Sequence, residues 1–197
     1  MPVPRPSHCR DSAFQCLAEH LPALDTTQGL MRSAVAVAMH EMDRVDPDAV
    51  EAQIRELTVK IGQRIKSSHP RAVMAHAHDV LFEERGFKGN RADYHNPRNS
   101  YLPAVLRTGR GLPITLSLVY KCVVEPLGLP VHGINAPGHF MVGINDSAKD
   151  ELIRAVTIID PFDAGRLLSK DEAIATCRQA IGDTPMPDNP LAQSTHK

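Results

Sequence analysis

Three places in this 197-residue chain could combine into acyl-transfer chemistry. They are a helix opening at Gly111-Leu112-Pro113-Ile114-Thr115-Leu116-Ser117, His139 after Pro137-Gly138, and Asp160 ahead of Pro161. Thiol chemistry of this class needs a thiolate at a helix N-terminus, where the dipole lowers its pKa, and a histidine and an orienting carboxylate delivered by adjacent strands. The chain order, helix start then His then acid, suits that scheme. The thiols do not: Cys9, Cys16, Cys122 and Cys177 fall elsewhere. Cys122 lies on the helix that begins at Pro113, about 2.5 turns and ~13 Å further along and on the opposite face, so it reads as core.

Thr115 and Ser117 supply the nearest hydroxyls. Inside a helix such groups commonly bond back to a carbonyl one turn earlier, and they act as nucleophiles only with an adjacent, well-placed base. His139 next to a glycine at a strand start reads equally as a structural, hydrogen-bonded residue. Its pairing with Asp160 favours function, because a carboxylate that fixes an imidazole tautomer is a recognisable functional arrangement. A structural hydrogen bond is the competing account. Asn90, Tyr94, Asn99 and Ser100 sit in a Gly-, Asn-, Asp- and Pro-dense loop and could line a pocket with His139. The same residue types also order a loop through their own backbone bonds. Ten histidines invite a metal site, but His76 and His78 point from different helix faces and no His-Glu-x-x-His occurs, so no metal or other cofactor is expected.

The elements that must position these residues divide by period. Leu30, Met31, Ala34, Val35, Ala38 and Met42 recur at three- and four-residue steps and predict a helix. Asp46-Pro47-Asp48 is a strong helix start, and Val50, Ile54, Leu57, Ile61 and Ile65 form the buried face of the helix it opens. His69-Pro70 begins a third helix ending near Arg85-Gly86. Ser100 can cap a short helix over residues 101 to 108, and Pro113 opens one running to about Leu127. Past Gly128 the pattern alternates, predicting three mostly antiparallel strands, at Val131 to Asn135, Phe140 to Ile144 and Ile153 to Ile159. Ser169 and Glu172 form a capping box for a last helix to about Ile181. Residues 1–27 read as an N-terminal arm with room for one short helix, 28–181 as one α+β domain, and 182–197 as a disordered Pro-rich tail.

Phe87-Lys88-Gly89-Asn90, the run Tyr94 to Leu102, Gly111 to Leu116, Pro137-Gly138-His139-Phe140 and Ile159-Asp160-Pro161-Phe162 together resemble the bacterial SirB-type branch of the transglutaminase-like superfamily, over about residues 30 to 180. The resemblance implies a papain-type fold: a helical N-terminal half and a buried central helix packed on a small, mostly antiparallel sheet. In active members a Gly-x-Cys opens that helix, a His begins the following strand, and an Asp precedes Pro on the next. Mapped by motif, His139 and Asp160 match two of these roles and Pro113 takes the place of the cysteine. The branch resembles this sequence in having proline there. It also favours Asn90, Tyr94, Asn99 and Ser100 as pocket residues.

Composition narrows the function classes. Hydrophobic residues at 42% and charged residues at 23% are the balance of a soluble globular domain. Lys plus Arg (22) nearly cancels Asp plus Glu (23), which leaves no long-range field to attract nucleic acid or an anionic membrane. The start Met1-Pro2-Val3-Pro4-Arg5-Pro6 lacks the apolar stretch of a secretory signal, so a cytoplasmic setting is expected. The expected function is a non-catalytic module that binds a protein, a peptide or a small molecule. The alternatives are a hydrolase or acyl transferase using His139 and Asp160 with a hydroxyl, Thr115 among them, or an activated water, and a purely structural scaffold.

Overall fold

Capping and apolar periodicity place the first helices. In the computed structural model, which describes residues 7–145 and 156–194, α1 spans Asp11–His20 and packs along α2, Thr27–Glu41. The Thr26 hydroxyl accepts from the Gly29 N–H at 3.0 Å, starting α2 just ahead of its first apolar positions. Asp46 accepts from the Asp48 N–H at 3.0 Å and Pro47 opens α3, Pro47–Gly62, whose buried face is Val50, Ile54, Leu57 and Ile61. Next come α4, Pro70–His78, and a wider-wound turn over Asp79–Glu84 that ends the helical run before Gly86.

The loop after Gly86 carries two features beyond the sequence reading. Lys88–Gly89 (β1) and Arg110–Gly111 (β2) form a short parallel pair. Two residues are too few to show a period, which is why the pair is invisible in the sequence. Ser100 does not cap the next helix. Asn96 does the local capping instead, accepting from the Arg98 N–H at 3.0 Å to start a tight turn over Pro97–Ser100, and α5, Leu102–Thr108, comes after it with no side-chain cap.

The central helix α6, Pro113–Val124, is the axis of the fold. Nine of its twelve residues are buried, so it presents apolar side chains all round rather than on one stripe. Leu116, Val119, Tyr120 and Val123 are each at most 2% exposed, and burying such a side chain contributes about 2 kcal/mol. α2, α3, α4 and α5 contact it on the helical side.

On the other side lies a four-stranded antiparallel sheet, β3 (Val131–Ile134), β4 (Met141–Asn145), β5 (Val156–Asp160) and β6 (Arg166–Leu168), in that spatial order. Ile153 and Ala155, read as the start of the third strand, lie outside the described residues. Both faces of the sheet are covered. Val131, Val142, Ile144 and Ile159 join the α6 core, while Ile134, Met141, Ile158 and Leu168 pack with Ala173 and Cys177 of α7, Lys170–Ile181. Double coverage explains why β4 is buried at Met141 to Ile144 instead of alternating. Lys121 ties α6 to β3, donating to the Val131 carbonyl and to Glu125 at 2.7 Å each. α7 begins with the full Ser169–Glu172 capping box. Beyond it, the Ser194 N–H donates to the Gly133 carbonyl at 2.8 Å and the Asn135 N–H to the Ala192 carbonyl at 3.2 Å, so residues 192–194 of the segment expected as a disordered tail run beside β3.

Candidate functional site

A four-residue turn delivers His139. Its N–H donates to the Ala136 carbonyl at 2.9 Å, with Pro137 and Gly138 between them, and Gly138 has φ +69. Proline followed by a positive-φ glycine is the residue pair such a turn favours. Gly138 is also pressed against α7: an added Cβ would lie 2.8 Å from the Ala180 Cβ.

Asp160 ends β5 and does two jobs. One carboxylate oxygen lies 2.9 Å from His139 Nε2. The other accepts the N–H of Phe162 at 3.0 Å and of Asp163 at 3.3 Å, capping the tight turn Pro161–Asp163. The two side chains are 10% and 6% exposed. A carboxylate only accepts, so a neutral His139 carries its proton on Nε2 and presents the lone pair on Nδ1, which has no hydrogen-bond partner among the described residues.

Phe162 links this pair to the loop. Its ring meets His139 edge-on at 5.8 Å and Tyr94 at 5.9 Å, and the Arg91 guanidinium lies 4.9 Å from its centroid. Arg91 also pairs with Asp163 at 3.2 Å. Gly89 permits this stacking, since a Cβ there would stand 2.4 Å from the Phe162 ring. Neither Phe162 nor Arg91 is among the site residues expected from the sequence. Phe162 carries a signal there, its place in the Asp160-Pro161-Phe162 run, and Arg91 carries none.

The remaining candidates separate. Asn90 donates to Asn99 Oδ1 at 2.9 Å, and Asn99, 3% exposed, donates in turn to the carbonyls of Asp93 at 2.7 Å and Tyr94 at 3.1 Å. Their side chains therefore hold the loop together. The Asn99 carbonyl accepts the Leu112 N–H at 3.1 Å, fixing the loop against the start of α6. Ser100 and Thr115 line a different concavity, shared with Phe140 but not with His139 or Asp160.

Pro113, the first residue of α6, is buried. Cys122 on the same helix is 3% exposed, and burial pushes its thiol up to about 12. Cys177 is buried under the sheet, and burial raises its pKa as well. No cluster of three or more His, Cys, Asp or Glu able to hold a metal ion occurs among the described residues.

The chain matches the profile of the transglutaminase-like superfamily over residues 48–197. It is 31% identical over 171 residues to a UPF0162 protein of Xylella fastidiosa, covering 86% of this chain and 58% of that one. A UPF0162 protein of Pseudomonas aeruginosa is 26% identical over 172 residues, with 87% and 57% covered. Human F-box only protein 21 is 35% identical over 105 residues, 52% of this chain and 16% of that protein. The chain thus spans 58% of the length of the first curated relatives it matches. No solved structure matches it. The profile match covers most of the chain, including the central helix, the sheet and the His139–Asp160 pair, and on that basis the chain belongs to the transglutaminase-like superfamily.

Proposed function

We propose that this chain is a transglutaminase-like module without a thiol nucleophile, of the SirB-type branch. It binds a protein, peptide or small ligand in the cleft around His139, Asp160 and the 90–100 loop, without turnover. The observation that carries the reading is the start of α6. A buried Pro113 stands at the N-terminal position where a thiolate would gain from the dipole, and the only cysteine on that helix is sealed in the core with its pKa pushed up to about 12. Neither proline nor an unassisted hydroxyl replaces the reactivity of a thiol. A cytoplasmic setting, with no nucleic-acid or membrane partner, belongs to the same proposal. No helix among the described residues is long and apolar enough to cross a membrane.

One observation favours a second reading, a hydrolase or acyl transferase with a hydroxyl or water nucleophile: the Nδ1 of His139, unpartnered among the described residues, is a base in waiting. An amine-incorporation and peptide-hydrolysis assay on the wild type, Pro113→Cys, His139→Ala and thiol-blocked protein separates the two. The expected result is no wild-type turnover. Wild-type turnover that stops on thiol blocking would overturn the proposal. Turnover that survives blocking but needs His139 would establish the second reading.

A further inference from the structure

One concavity is separate from the His139 cleft. It is a groove of about 510 Å³ between the N-terminal helices, α6 and the β3–β4 side of the sheet, and neither His139 nor Asp160 lines it. Its size falls in the range of small-molecule sites. Leu17, Leu21, Val37, Ile114, Leu118 and Phe140 make its walls apolar. Val37 and Ile114 are 53% and 56% exposed there, large side chains left in water.

Two polar groups in that wall have no partner. Ser33 of α2 and Ser117 of α6 are 6% and 2% exposed, and neither hydroxyl makes a hydrogen bond, not even the usual one back to its own helix. Folded proteins keep few unpaired buried hydroxyls, because each has given up water for nothing. Both oxygens are closed to solvent, but both residues border the same apolar groove, and a turn of either serine to another staggered rotamer is the small move that would let a ligand complete its hydroxyl.

The groove also restricts what that ligand is. A peptide would bring a row of N–H and C=O groups, each needing a partner. The neighbouring sheet edge cannot supply them, since residues 192–194 already occupy β3 at Gly133 and Asn135. A charged head finds no counter-charge: Lys121, the ionisable residue of the lining, is taken by Glu125 and the Val131 carbonyl. We propose that this groove binds an uncharged amphiphile, a single alkyl or acyl chain ending in an amide or hydroxyl that donates to and accepts from Ser33 and Ser117.

The test is calorimetric titration of the full chain with decanamide and decanol, and with decanoate and an uncharged leucine-rich decapeptide as comparators, all below their aggregation concentrations. Saturable one-to-one binding of the amide and alcohol is expected, with decanoate at least ten-fold weaker. Ile114→Trp, at an exposed position, should abolish it by filling the groove. The Ser33→Ala/Ser117→Ala double variant should bind at least ten-fold more weakly while melting no lower than wild type. His139→Ala should bind as wild type does, which separates this site from the cleft proposed above. The proposal is overturned by absence of saturable binding to folded protein, by undiminished binding to the serine double variant, or by tighter binding of the decapeptide than of decanamide.

Discussion

His139 Nε2 lies 2.9 Å from Asp160 Oδ2, although the two residues are not cross-strand partners. In the β4–β5 ladder Val142 pairs with Ile159, so His139 stands beyond the end of β4 and reaches back to the last residue of β5. The reach is possible because the positive-φ Gly138, pressed against α7, turns the chain between β3 and β4, and because the second Asp160 oxygen is pinned by two backbone N–H groups. The carboxylate is thus a cap for its own turn and an anchor for the imidazole at once.

That double role predicts an asymmetric mutational response. Asp160→Ala leaves two backbone donors and the His139 ring unpaired in a buried setting, and should cost about 3 kcal/mol of stability. Asp160→Asn keeps a carbonyl oxygen for the Phe162 and Asp163 amides, and should cost about 1 kcal/mol. Denaturant unfolding of the two variants measures the difference. Equal losses would mean that the capping bonds contribute nothing to stability.

How much of the fold and the site is legible in the sequence depends on range. The α3 start at Asp46-Pro47, the α7 capping box and the α6 core positions are readable because each is a local pattern whose partners sit within one or two turns. The His139–Asp160 contact is readable only through motif order. The Phe162 stack is not, because it needs Gly89, Arg91 and Tyr94 brought against a residue some seventy positions later. The Ser100 cap fails for a competing local reason: Asn96 starts its turn first. The groove is equally hidden. Ser33 and Ser117 look like ordinary helix-interior serines until α2 and α6 pack together and leave both hydroxyls without partners.

Stability should decline in mild acid through buried histidine. Burial holds His78 below the usual imidazole value of 6.5, with Asp79 opposing, and its Nε2 faces the Tyr120 hydroxyl at 3.3 Å. Burial lowers His132 in the same direction, helped by Lys121. With folded pKa values below the unfolded one, the unfolded chain binds more protons as pH falls past 6.5, so the stability lost grows until the folded pKa is passed. Each such group can contribute at most about 1.4 kcal/mol per pH unit. Unfolding free energies of wild type and His78→Gln measured from pH 7 to 5 should show a shallower slope in the variant. An unchanged slope would remove His78 as a source of acid sensitivity.

Thiol accessibility supplies the last expectation. The attacking species is the thiolate, and a thiol whose pKa is pushed up to about 12 inside a packed helix is almost wholly protonated at pH 8 and also out of reach. Cys122 and Cys177, both buried, should therefore resist iodoacetamide in the native protein, while Cys16, only half-buried but also raised by desolvation, should label slowly. In denaturant all of them should label at ordinary thiol rates. Peptide mapping by mass spectrometry over a time course distinguishes these classes. Rapid native labelling of Cys122 would place a reactive thiol on α6 after all. That result would reopen cysteine chemistry for this chain, because the proposed absence of turnover rests on that helix offering no accessible thiolate.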